Sequence, residues 1–259
     1  MGLTEKELAE LKEAKKLLES PGMAVRLSNA LGAPIEKGFG FLPEKVAGTV
    51  KIATRVALEK AVAAAVLTMN TKKQQKASNI FHKVAAAASG AAGGAFGLPA
   101  LAVELPVSTV IMFRSILDIA REQGETIQDP GTLVASLEVF ALGGSSGDDD
   151  ASETGYYAVR AALSRSVSEA AEYLARKNVL DKGAPALVRL ISTIAARFGI
   201  VVSEKAAASA IPIVGAAGGA TVNTIFINHF QNMAKGHFTV RRLERIHGKE
   251  TVRRSYDKL

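Results

Sequence analysis

Few side chains in this 259-residue sequence are placed to do chemistry, and carboxylates come first among them. Glu104 stands alone among Ala, Val and Leu, just before Pro106. Glu138 stands alone in Ser136-Leu-Glu-Val-Phe-Ala-Leu142. Glu204 and Lys205 are adjacent, ahead of an apolar stretch that contains Asn223. A carboxylate taken out of water must be paired, hydrogen-bonded or protonated. Two readings follow. These groups either form a polar network that pins helices in register, or they orient the polar head of a ligand such as a lipid, a metal or a substrate. Arg114, ten residues beyond Glu104, comes within its reach across a bend at Pro106, and Arg241 is a further candidate near the C-terminus.

Most catalytic constellations do not fit. The histidines are His82, His229, His237 and His247, none in a His-Glu-x-x-His zinc motif. Neither Glu104 nor Glu138 opens the Glu-x-x-His pair of bundle metal sites, so no metal is expected. There is no Gly-x-x-x-x-Gly-Lys-Ser/Thr loop, and the glycines at 90–97 follow no strand, so no nucleotide cofactor is expected either. The chain has no cysteine, which removes thiolate catalysis and disulfides and fits a reducing compartment. The one enzymatic reading left is a hydrolase with Glu104 or Glu138 as general base. The expectation is a protein that is not an enzyme.

The elements that position these groups read as helices. Hydrophobic residues make up 48% of the chain and aromatics only 5%, so the apolar mass is Ala, Val, Leu and Ile, side chains that suit close helix packing. Thr4 with Glu7 forms a capping box ahead of a Lys/Glu-rich helix that ends near Pro21. Residues from there to Gly40 read as loop. Helices are predicted over about 43–69, from Thr71 through Lys72, Lys73, Lys76 and Lys83, to Gly124, over 131–142, over 152–178, from Pro185 to about 209, and through Arg241, Arg242 and Arg245 to the C-terminus. Ser145 to Asp150 reads as a loop without calcium-loop spacing. No alternating strand pattern occurs.

Two segments echo each other. Ser89-Gly-Ala-Ala-Gly-Gly-Ala95 matches Val214-Gly-Ala-Ala-Gly-Gly-Ala220, each within a run lacking ionisable groups, 84–103 and 206–228. Gly90/Gly94 and Gly215/Gly219 are four apart, so each pair opens a groove on one helical face that admits a close neighbour. That neighbour is either another helix of the bundle or a bilayer. Both runs are long enough to span one, but Gly and Ala contribute little to insertion and Pro99, Pro106 and Pro212 interrupt them, so shallow interfacial contact suits them better than a span. The net charge of +7 is concentrated at the two ends of the chain, which favours an anionic leaflet. Nucleic acid is not expected, because the C-terminal arginines have only Phe238 and Tyr256 as aromatic company.

Two blocks carry a resemblance. Gly97-Leu-Pro-Ala-Leu-Ala-Val-Glu-Leu-Pro106, with Arg114, Ile119-Ala120 and Leu137-Glu-Val-Phe-Ala-Leu142, resembles the bacterial EcsC family. Ile211-Pro-Ile-Val-Gly-Ala216, Asn223, Phe226, Ala234 and His237-Phe238 through Arg241-Leu243 resemble it as well. The resemblance spans roughly residues 40–246 and leaves the helix before residue 20 outside. It implies an all-α bacterial protein linked by gene context to ABC-type export, and it supplies no reaction. Matched by position, it picks out Glu104, where the family often has Asp, with Arg114, Glu138, Asn223 and Arg241.

The expected molecule is an all-α multi-helix bundle, with an N-terminal helix and linker over 1–40 and an EcsC-like helical domain over 41–259. It is expected to be cytoplasmic, peripheral on the inner face of the cell membrane, with an anionic lipid surface or an ABC transporter component as partner. The rival is a soluble module that holds a lipid or other apolar molecule between helices.

Overall fold

The computed structural model describes residues 2–32, 34–35, 44–69, 101–143, 155–177, 184–209 and 215–259, and within these ranges every regular element is helical. The helices are α1 (Glu5–Leu18), α2 (Met23–Leu31), α3 (Glu44–Met69), α4 (Leu101–Glu122), α5 (Pro130–Leu142), α6 (Tyr156–Lys177), α7 (Pro185–Ser209), α8 (Gly215–His247) and α9 (Lys249–Lys258). Gly90, Gly94, His82, the Thr71 cap, the lysines that follow it and the Ser145–Asp150 loop lie outside the described residues.

The centre of the bundle is α5. Asp129 caps it by accepting from the Thr132 N–H, and Pro130 occupies its first turn, where no N–H is needed. Every residue from Thr132 to Ala141 is buried. A helix apolar on all sides must be enclosed on all sides, and α5 packs against α3, α4, α6, α7 and α8. Its Phe140 ring meets Phe113 of α4, Phe198 of α7 and Phe230 of α8, with ring centroids 4.9–6.1 Å apart. The last carbonyls of α5 are met by side chains from other helices. Arg197 Nε donates to the Ala141 carbonyl at 3.1 Å, and His229 Nε2 lies 3.0 Å from the Gly143 oxygen. A Cβ at Gly143 would fall 2.6 Å from that imidazole, so only glycine fits.

The stretch expected as loop after Pro21 contains α2. Its N-cap, Gly22, has no side chain to offer. Glu204 of α7 substitutes for the missing cap, its Oε2 accepting from the Ala24 N–H at 3.1 Å. A carboxylate there also complements the positive end of the helix dipole. The cap comes from 180 residues away, so local sequence carried no signal of it.

α4 continues past Pro106 as one helix. Proline removes one backbone hydrogen bond, and here Leu105 and Pro106 are both buried, so packing holds the turn in place. At the other end of the chain, Gly248 at φ +83 separates α8 from α9, where one continuous helix was expected.

The N-terminal helix is packed onto this body. Leu11 and Ala14 of α1 join Val240, Leu243, Val252 and Tyr256 of α8 and α9 in a second core cluster. The contact is closest at Gly236, where a Cβ would stand 2.6 Å from Leu18 Cγ and 3.0 Å from the Ala14 carbonyl.

Candidate functional site

Two buried polar clusters and one exposed face collect the candidate residues. In the first cluster, Lys205 of α7 donates to Glu104 Oε2 at 2.7 Å and to Asn223 Oδ1 of α8 at 2.8 Å. Its ammonium also lies 4.6 Å from the centre of the Phe226 ring. The Lys205 and Glu104 side chains are 4% and 7% exposed, so the pair is removed from water. Burial pulls the Lys205 pKa down from its ordinary value, and Glu104 opposes that pull. The second Glu104 oxygen, Oε1, is buried and has no hydrogen-bond partner. Glu104, Lys205 and Asn223 thus meet although they come from three helices, and Glu204, the neighbour of Lys205, faces α2 instead.

Arg114 joins neither cluster. It is exposed, and it stands ten residues beyond Glu104 on the same continuous helix. On a continuous helix, residues eleven apart fall about three turns apart on one side. Arg114 therefore shares the side of Val103, while Glu104 faces the core.

The second cluster surrounds Glu138. The His237 ring of α8 lies between two groups: its Nδ1 is 3.0 Å from the Tyr156 hydroxyl of α6, and its Nε2 is 3.9 Å from Glu138 Oε2. Burial raises the Glu138 carboxyl to about 7 and pushes the His237 imidazole well below its usual value, so His237 is neutral. Burial likewise raises the Tyr156 hydroxyl. Nearby, Arg160 grips Glu244 with two bonds of 2.7 and 3.0 Å, and the Tyr157 hydroxyl donates to the same carboxylate at 3.2 Å. Tyr156, Tyr157 and Tyr256 pack edge-on or tilted around this pair with ring centroids 5.0–5.8 Å apart.

Arg241 is bound to Glu125 at 3.0 Å, and Arg245 pairs with the same carboxylate. Burial opposes ionisation of Glu125, but these two arginines and Thr132 hold its pKa below the usual range. Arg242 pairs with Glu10 of α1, and His247 with Glu7 at 2.8 Å. Three of the C-terminal cations, Arg241, Arg242 and Arg245, are thus paired within the fold.

Sequence inspection missed Tyr156, Arg160, Glu244 and Glu125. Their signal was helical spacing: Tyr156 and Arg160 are four apart, and His237, Arg241 and Glu244 recur on one side of α8. Two further patterns were overlooked. Glu244 and His247 have Glu-x-x-His spacing, but Glu244 turns to Arg160 and His247 to Glu7. Gly143-Gly-Ser-Ser-Gly147 has the spacing of a nucleophile elbow, but it follows helix α5 and not a strand. Among the described residues no three His, Asp or Glu side chains converge on a metal position. Gly215 opens α8 and Gly219 is buried within it.

The exposed face lies on α3 and α4, which pack along each other. Val103 and Val107 of α4 are 75% and 49% exposed, and Ile52 of α3 is 69% exposed. Lys45, Lys51, Arg55 and Lys60 of α3 and Arg114 of α4 are exposed as well. One described helix, α7, is long and apolar enough to cross a membrane by length and composition, and half of its apolar window is buried in the bundle.

The all-helical bundle and the order of its sequence blocks agree with a match to the EcsC protein family over residues 5–243. The chain belongs to the EcsC family. The match begins inside α1, so the N-terminal helix belongs to the shared region, contrary to the expectation that it lies outside. All of α9 lies beyond it. No curated protein and no solved structure matches this EcsC-family chain.

Proposed function

We propose that this EcsC-family protein is a non-enzymatic, peripheral membrane protein that meets an anionic leaflet through the outer face of α3 and α4. The observation that carries the reading is the exposure of Val103, Val107 and Ile52 on two helices that also carry exposed lysines and arginines. An isolated exposed valine needs no explanation. Val103 and Val107 are one helical turn apart, however, and Arg114 continues the same side. Apolar side chains that enter the headgroup region, flanked by cations worth about 1 kcal/mol each at an anionic surface, make a reversible interfacial contact. The inner face of the cell membrane is the proposed location, and a component of ABC-type export the proposed protein partner.

Co-sedimentation with vesicles tests this. Binding should rise with the fraction of anionic phospholipid and fall with salt. The double variant Val103→Glu, Val107→Glu should lose most of it while keeping a wild-type circular dichroism spectrum. No binding at low salt, or equal binding by the double variant, would overturn the reading.

The rival, a module that holds a lipid between its helices, is favoured by the buried and unpaired Oε1 of Glu104, an acceptor ready for a headgroup hydroxyl or ammonium. Native mass spectrometry of the purified protein separates the two, since only the rival requires a co-purifying lipid mass.

A further inference from the structure

The charged groups around α5 leave one carboxylate without a cation. From α6, Arg160 is bound to Glu244 by both nitrogens. From α8, Arg241 is bound to Glu125, and Glu244 already accepts from Arg160 and Tyr157. Arg160, Arg241 and, at the start of α9, Lys249 act on Glu138 only through space, without a bond to it. From α7, Arg197 donates to the Ala141 carbonyl. From α4, Arg121 pairs with Asp118 at 3.0 Å, and the lysines of α3 are exposed. Glu138, 4% exposed, is left facing a single nitrogen, Nε2 of His237, which is itself buried and has no hydrogen-bond partner.

We infer that Glu138, His237 and Tyr156 form a buried relay that holds one exchangeable proton, and that loss of this proton reverses the hydrogen-bond direction from α5 through α8 to α6 and weakens their junction. The chemistry is a simple proton balance. With the proton held, the Glu138 carboxylic acid donates to His237 Nε2, and the Nδ1–H donates to the Tyr156 oxygen. When the proton leaves to solvent, Glu138 becomes a carboxylate. His237 then turns to the other tautomer, with Nε2–H facing the carboxylate and Nδ1 accepting from the Tyr156 hydroxyl. His237 stays neutral in both states. The distance of 3.9 Å between Oε2 and Nε2 must shorten by roughly 1 Å for either bond to form, because such bonds have heavy-atom separations near 2.8 Å. The raised Glu138 pKa, about 7, places the change at neutral pH.

The sign of the effect follows. A carboxyl whose pKa is raised by folding contributes stability that is complete below its unfolded value, near 4.5, and is lost as pH rises toward about 7. Opening that exposes Glu138 should therefore become about tenfold more favourable per pH unit in that window, then level off.

The test is nitrogen-15 NMR of the histidine rings together with amide hydrogen exchange, from pH 5 to 8.5, on the full chain. The expected result is a tautomer exchange at His237 with a midpoint near 7, and opening of α5, α6 and α8 that grows more frequent up to that pH and levels off above it, after correction for intrinsic exchange. Both should disappear in Glu138→Gln, whose neutral amide cannot titrate. If that variant does not fold, Tyr156→Phe serves, because it removes the end of the relay and should shift the tautomer ratio without removing the titration. A His237 signal that stays constant over the range, or a midpoint that persists in Glu138→Gln, would overturn the proposal.

Discussion

The Lys205–Glu104 pair offers the sharpest test of how this bundle is held together. In Lys205→Met the side-chain volume is nearly kept, but the ammonium is lost. Three contacts go with it: the bonds of 2.7 Å to Glu104 and 2.8 Å to Asn223, and the approach of 4.6 Å to the Phe226 ring. The dominant loss is electrostatic, since Glu104 remains 7% exposed without a counter-ion, and its Oε1 is already unpartnered. Breaking a buried pair from one side costs about 3–5 kcal/mol. Removing both charges, in Glu104→Leu with Lys205→Met, leaves no orphan ion, so the double variant should be no less stable than the lysine variant alone. The cycle then yields a coupling of about 2–4 kcal/mol. Urea unfolding followed by circular dichroism measures all four proteins, with an unchanged slope to confirm that the unfolded state is the same. A cost below about 1 kcal/mol for Lys205→Met, or additivity within about 0.5 kcal/mol, would refute the account of a tight, dry pair.

Other consequences follow from particular contacts. Gly236→Val should lift α1 from α8, because Leu18 and the backbone of Ala14 occupy the space its side chain needs; a loss of about 1–3 kcal/mol and faster proteolysis within residues 5–18 would show it. Glu204→Ala should weaken the start of α2 by about 1 kcal/mol, seen as faster hydrogen exchange confined to the amides of that helix. Glu7 is held at about 2 chiefly by its bond to His247, so its contribution to α1 docking is present above about 4.5 and lost as pH falls toward 2; His247→Gln should raise the Glu7 midpoint measured by NMR.

Much of the helical framework was readable residue by residue. The Thr4/Glu7 box starts α1 as its spacing requires, with the Thr4 oxygen accepting from the Glu7 N–H. The burial of α5 follows from ten successive residues with one ionisable group among them. The glycines were harder. Close approaches occur at Gly143 and at Gly236, the latter in a Lys-Gly-His context, while Gly90 and Gly94 of the repeated Gly-x-x-x-Gly lie outside the described residues. A glycine matters when a neighbour's backbone lies within reach of its absent Cβ, and at Gly236 that neighbour, α1, comes from more than 200 residues earlier.

The C-terminal arginines make the same point about charge. Sequence counts Arg241, Arg242, Arg245, Lys249, Arg253 and Arg254 as a basic run, but Coulomb attraction acts through space, and Glu125, between α4 and α5, pairs with Arg241 and Arg245 while Glu10 of α1 pairs with Arg242.

Sequence alone determined the helical class, the isolation of Glu104 and Glu138 in apolar surroundings, and the EcsC resemblance, because period, capping and composition are local or statistical properties. Only the tertiary structure decided partners: Lys205 for Glu104, His237 for Glu138, Glu204 for the bare end of α2, and solvent for Arg114. Each of the first three joins residues about a hundred or more apart in the chain, and such pairings depend on how whole helices pack, which no window of sequence contains.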